Sequence, residues 1–224
     1  MASSLETEIQ SRLSAIQHDM AGRPVTLVAV TKNASLAQME AAYQCGVRHF
    51  GENRVQDALD KKACLPKEVV DGVTWHLIGH LQSNKINKTL GQFDLIHSID
   101  TLPLAEAVSL RNVNANLVQP VLLQVNVAKE PSKHGFSPAE LDAAYSHCRT
   151  LKGIEIKGLM TMAPANVPSS EIENVFLELE KLRQSLVFTF GDSLPECSMG
   201  MSQDYIHALP LGATIIRIGS AIFG

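Results

Sequence analysis

No stretch of this 224-residue chain is apolar for long enough to span a bilayer. The first residues, Met-Ala-Ser-Ser-Leu-Glu-Thr-Glu, carry acidic groups and no apolar core, so no secretory signal is expected there. The chain is short of clustered charge as well: its formal net charge is −4, with both signs mixed along its length. That excludes the basic stripe of a nucleic-acid surface, and there is no acidic tail. Cysteine is sparse. Cys45, Cys64, Cys148 and Cys197 lie far apart, form no CxxC pair and have ordinary core neighbours, so a reduced, cytoplasmic protein is expected rather than a disulfide framework. Catalytic signatures are missing too. There is no GxSxG elbow, and Lys32-Asn-Ala-Ser35 lacks the glycines of a dinucleotide fingerprint.

What is present is an alternation of apolar runs with helical periodicity. Leu5, Ile9, Leu13 and Ile16 predict an amphipathic helix over residues 1–22. Eight strands follow, at Val25–Thr31, Val47–Phe50, Val73–Ile78, Asp94–Ile99, Pro120–Val125, Ile154–Leu159, Glu196–Met199 and Ala213–Ile218. Helix-like segments separate them, the clearest being Asn53–Cys64, Leu102–Asn112, Pro138–Leu151 and Ser170–Leu186. Such an alternation predicts parallel β/α architecture, and the length falls at the small end of one (β/α)8 TIM barrel. An open doubly wound sheet is the alternative, but no switch point is evident. With no linker in sight, residues 1–224 are expected to form one barrel domain, with the extra N-terminal helix packed on it.

In such barrels the chemistry lies at the C-terminal strand ends, and phosphate binds after strands seven and eight. Strand one closes in Lys32, an amine at the rim of a core, where desolvation favours the neutral nucleophile. Strands seven and eight run into Ser198-Met-Gly-Met-Ser202 and Arg217-Ile-Gly219-Ser220. Each is an ordinary turn signal alone; together they describe a cradle of small residues and free amides suited to an anion. Arg217, between isoleucines, needs a partner if buried, and Glu52 and Asp204 are the candidate counter-charges. His76 and His80 have a metal-like spacing, but on a strand they lie about 13 Å apart, so no metal is expected. An amine facing a phosphate cradle fits an aldehyde that also carries a phosphate. Pyridoxal 5′-phosphate (PLP) is one such ligand; a phosphosugar held by a Schiff-base aldolase is another.

Six segments, in collinear order, closely resemble the pyridoxal phosphate homeostasis protein family: Leu27-Val-Ala-Val-Thr-Lys32, Phe50-Gly-Glu-Asn-Arg-Val-Gln56, Trp75-His-Leu-Ile-Gly-His-Leu-Gln-Ser-Asn-Lys85, Gly158-Leu-Met-Thr-Met162, Ser198-Met-Gly-Met-Ser-Gln-Asp204 and Arg217-Ile-Gly-Ser-Ala-Ile-Phe-Gly224. The resemblance runs from about Gly22 to the C-terminus. It implies a barrel similar to the N-terminal domain of alanine racemase, with PLP held as a Schiff base on Lys32. It further implies a phosphate cradle at Ser202, Gly219 and Ser220, to which Met201 adds a backbone donor, and Arg217 at the pyridine nitrogen. Asn53 and His76 match positions near the cofactor. Many relatives carry threonine at position 220, and serine keeps the hydroxyl. The implied function is to buffer and deliver PLP, and so to influence amino-acid and keto-acid balance, without catalytic turnover. Apo-PLP enzymes or regulatory proteins are the candidate partners; the polar loop Lys129–Gly135 reads first as an ordinary solvated loop and alternatively as a contact surface, and a monomer is expected because no amphipathic helix is left over. A racemase of this barrel type draws its second acid–base group from another domain, and no such domain is expected beyond Gly224; a racemase or lyase completed by a partner subunit is the competing expectation.

Overall fold

Strands buried on both faces read as continuous apolar runs, and here those runs close on themselves. The computed structural model describes residues 3–130 and 133–224. Its strands are β1 Thr26–Val30, β2 His49–Glu52, β3 Thr74–Leu77, β4 Leu95–Ile99, β5 Gln119–Gln124, β6 Ile154–Met160, β7 Glu196–Met201 and β8 Ile215–Ile218. They pair in sequence order, all parallel, and β8 returns to β1 with Arg217 opposite Val28. The expected barrel is therefore formed. Around it lie α1 Ser4–Met20, α2 Leu36–Gln44, α3 Val55–Cys64, α4 Lys67–Asp71, α5 Leu102–Asn114, α6 Leu141–Cys148, α7 Ser169–Phe190, α8 Tyr205–Ala208 and α9 Ser220–Phe223, with a 3-10 turn at Ser83–Lys88.

Two apolar cores divide the work. A large one lies between the strands and the helices, and a small plug of Val28, Leu95, Leu122, Met160 and Ile215 fills the barrel lumen. Two residues beyond Leu95 and Ile215, on the same faces, come His97 and Arg217. The lumen therefore changes from apolar to polar towards the C-terminal strand ends.

Helix α1 begins with a capping box, Ser3 Oγ accepting from the Glu6 amide while the Glu6 carboxylate accepts from the Ser3 amide. Its buried face is Ile9, Leu13 and Ile16, as the periodicity predicts. Arg12 Nη1 donates to the Ile222 carbonyl (3.0 Å), tying α1 to the last helical turn.

Two strand boundaries near the site and two short helices depart from the sequence expectation. Strand β2 begins two residues late and runs through Gly51-Glu52, a pair that reads as loop because its second member is charged. Strand β1 stops at Val30, so Lys32 lies in the following turn. The short α4 and α9 have too few apolar positions to show a period.

Glu52 explains the first departure. Its side chain is fully buried, and its Oε1 accepts from Thr31 Oγ1 (2.6 Å) and from Lys61 Nζ on α3 (2.6 Å). Lys61 Nζ also donates to the Thr31 carbonyl (2.5 Å). Glu52 is thus engaged by Lys61, not by Arg217 as the sequence allowed, because α3 delivers its lysine directly over the β1–β2 junction. This lock fixes the backbone from which Lys32 projects. Lys61→Met removes the counter-charge of a buried carboxylate, and a loss of about 3–5 kcal/mol is expected. Thermal denaturation should register it as a fall of roughly 10 °C. A fall of a degree or two would show that the lock contributes little.

Candidate functional site

The C-terminal ends of the strands surround an open cavity of about 910 Å³. Lys32, Asn53, Met201, Ser202, Arg217, Gly219 and Ser220 all line it. Seven of the eight residues singled out in the sequence are thereby brought together. The eighth, His76, is not at the cavity. It is buried in the lumen, because its position on β3 lies below the mouth.

Lys32 departs from expectation in one respect: it is exposed, not desolvated. The turn after β1 sends Thr31 into the wall, where Glu52 holds it, and lets the next side chain reach the open mouth. Asn53 is held close by Gly79, where an added Cβ would lie 2.2 Å from the Asn53 carbonyl oxygen.

Across the mouth, the amides of Gly219 (3.1 Å) and Ala221 (3.4 Å) both donate to Ser202 Oγ. The amides of Ser202 and Ser220 find no backbone acceptor among the described residues. Donors from the ends of β7 and β8 thus converge on one small region, at the first turn of α9. Gly200 makes the approach possible. Its φ of 93° is left-handed, and a Cβ there would lie 2.9 Å from both the Tyr205 Cα and the Ala208 Cβ. Met201 is not a free backbone donor, contrary to expectation, since its amide is taken by Asp204 Oδ1 (2.5 Å). That bond, returned by the Asp204 amide to the Met201 carbonyl (3.0 Å), closes the turn that presents Ser202. Burial raises the Asp204 carboxyl above its ordinary range, opposed by the Met201 amide and the positive charge of Arg217.

Arg217 is buried. Its guanidinium donates to Ser198 Oγ and to the Thr161 carbonyl (2.8 Å), while the attraction of Asp204 reaches it without an ion pair. Burial lowers its pKa to about 10, so it keeps its charge at neutral pH. Beyond Ser198 lie three histidines that the sequence left unconnected. His97 Nδ1 is 2.9 Å from Ser198 Oγ, His97 Nε2 is 2.9 Å from His76 Nδ1, and His76 Nε2 is 3.0 Å from His49 Nδ1. A signal existed: one histidine within or beside each of three successive apolar strands, where each polar ring requires a partner.

On the opposite rim, His80 Nδ1 lies 2.9 Å from Asp100 Oδ2, and His134 stacks on His80 with centroids 4.1 Å apart. His80 and His134 also line the cavity. Within the loop Lys129–Gly135, residues 131–132 lie outside the described residues; Lys133 Nζ donates to the Ala163 carbonyl (3.0 Å).

An amine, an amide cradle and a buried guanidinium in one cavity fit the aldehyde, phosphate and ring nitrogen of PLP. Comparison with known proteins agrees with this chemistry. The model of the alanine racemase N-terminal domain matches residues 6–224. A pyridoxal phosphate homeostasis protein of Synechocystis is 39% identical over 200 residues, covering 89% of this chain and 91% of that protein. Another from Aquifex aeolicus is 37% identical, covering 88% and 86%. The structure of PipY from Synechococcus elongatus with PLP bound superposes with a TM-score of 0.87 at 37% identity, covering 96% of this chain and 100% of that one. Alanine racemase of Clostridium difficile, at 11% identity and a TM-score of 0.80, shares the fold. This chain belongs to the pyridoxal phosphate homeostasis protein family, built on the alanine racemase N-terminal barrel.

Proposed function

We propose that this protein binds PLP at the mouth of its barrel and holds it as a carrier serving intracellular PLP balance, without turning over a substrate. The observation that carries the reading is the meeting of an exposed amine, a cradle of amides and a charged, buried guanidinium in one cavity. When bound, PLP supplies an aldehyde open to reversible attack by an amine and a ring able to withdraw electrons. Lys32 is the residue that would hold it covalently. Ser202, Gly219 and Ser220 would hold its phosphate, with the Ser202 hydroxyl turning from the amides it now caps to the incoming oxygens.

Arg217 would donate to the ring nitrogen. A charged donor there disfavours protonation of that nitrogen, which weakens the ring as an electron sink and suits storage better than turnover. Lys32 lies in an open mouth, so a tethered ligand remains within reach of water and of other amines. Apo-PLP enzymes are the recipients this reading calls for.

A second reading, a PLP-dependent racemase or lyase, is favoured by one observation. The buried Asp100 carboxylate orients the His80 imidazole at the cavity, the arrangement a general base needs.

Borohydride reduction of the PLP-loaded protein should leave a pyridoxyl adduct on Lys32, read by peptide mass spectrometry, and Lys32→Ala should abolish it. An adduct spread over surface lysines would contradict the reading. Ser202→Ala is expected to weaken PLP binding about tenfold, by loss of one or two charge-assisted hydrogen bonds; unchanged affinity would remove Ser202 from the cradle. Incubation with a panel of L-amino acids in deuterated water should give no multiple turnover of Cα exchange, whereas sustained exchange lost in His80→Gln would establish the enzyme reading.

A further inference from the structure

The three luminal histidines do not touch the cavity, yet they form an unbroken file that ends on the residue assigned to the ring nitrogen. His49 stands opposite Thr74, and His76 is two residues further along β3; His76 stands opposite Leu95, and His97 is two residues further along β4. The file thus advances by one luminal position at each strand, then crosses to Ser198 on β7 and Arg217 on β8. Its far end, His49, is half-buried and opens on a second cavity of about 300 Å³ near the N-terminal strand ends, lined by Gln17, Thr26 and Arg48.

The direction of the hydrogen bonds follows from chemistry at one end. Arg217 can only donate, so Ser198 Oγ accepts from it. Among the described residues, Ser198 Oγ has no other side-chain partner than Arg217 and His97. Its proton therefore goes to His97 Nδ1, which leaves the His97 proton on Nε2. His97 then donates to His76 Nδ1, and His76, in the same tautomer, donates to His49 Nδ1. Every bond points away from the guanidinium.

On the reading that PLP occupies the mouth, we propose that His97, His76 and His49 are positioning residues for Arg217, a one-way hydrogen-bonded file that holds its guanidinium charged and aimed at the ring nitrogen. A neutral file is what this requires, since a second cation beside Arg217 would be repelled and would reverse the bonds. The surroundings agree. Burial lowers all three histidines, His76 to about 3, and the charge of Arg217 adds to the effect on His97. Asp94 and Glu196 act in the opposite sense on His49, so the end nearest the second cavity is the one most open to protonation. Serial hydrogen bonds in a dry lumen polarise one another, so the loss of one member is felt at the next.

Two measurements test the file. Imidazole 15N shifts of the cofactor-free protein should report neutral Nε2–H tautomers for His76 and His97 from pH 5 to 8; an imidazolium, or Nδ1–H at His97, overturns the assigned direction. In the PLP-loaded protein, His97→Phe should shift the absorption maximum of the bound cofactor in the same direction as Arg217→Gln and weaken its binding roughly tenfold. The double variant should show little beyond Arg217→Gln alone. Fully additive effects, or an unchanged spectrum in a folded His97→Phe protein, overturn the proposal; His97→Gln provides the same comparison should the phenylalanine variant fail to fold. A wild-type protein that retains no PLP defeats the proposed function instead, and leaves the tautomer measurement standing.

Discussion

A guanidinium buried inside a β-barrel is costly unless its donors are satisfied and its charge has something to face. Arg217 meets that requirement by position. It lies one luminal step above the apolar plug, where Ser198 and the Thr161 carbonyl come within reach from β7 and the end of β6. The polar layer around it follows from this placement. Ser198 needs an acceptor, His97 supplies one, and the two further histidines continue the sequence until it meets a second cavity. On the other side the guanidinium borders the mouth, which Lys32, Ser202, Gly219 and Ser220 also line.

Barrel closure assembles this space from both ends of the chain. Lys32 follows β1 and Ser220 follows β8, nearly 190 residues apart, yet β1 and β8 are hydrogen-bonded neighbours. Two buttresses hold the junction from outside. The Thr31–Glu52–Lys61 lock fixes the turn that carries Lys32, and Arg12 on α1 holds the carbonyl of Ile222 in the turn that follows the cradle. The N-terminal helix thereby supports the site without entering it.

Much of this is legible in the sequence, for definite reasons. Alternating apolar runs reveal the barrel, because strands buried on both faces leave no room for polar residues; the barrel then dictates which residues share a rim. Lys32, Ser202, Arg217, Gly219 and Ser220 are legible in this way, through position as much as chemistry. What is not legible depends on contacts between elements and within turns. Glu52 reads as a loop acid until α3 brings Lys61 over it. Met201 reads as a free donor until Asp204 folds back on its amide. His76 reads as a cofactor neighbour because its motif adjoins the site in sequence, although its strand position puts it below the mouth. No periodicity reveals that His49, His76 and His97 form one file, because their bonds join different strands.

A single cavity is proposed to recognise an amine-reactive aldehyde, a phosphate and a ring nitrogen at once, through Lys32, the β7–β8 cradle and Arg217. The most direct measurement is a crystal structure of the protein soaked in PLP. Density should be continuous with Lys32 Nζ, with phosphate oxygens on the Gly219 and Ser220 amides and an Arg217 nitrogen within hydrogen-bonding distance of the ring nitrogen. A ligand lodged on the His80–His134 rim, or a phosphate bound away from the cradle, would contradict it.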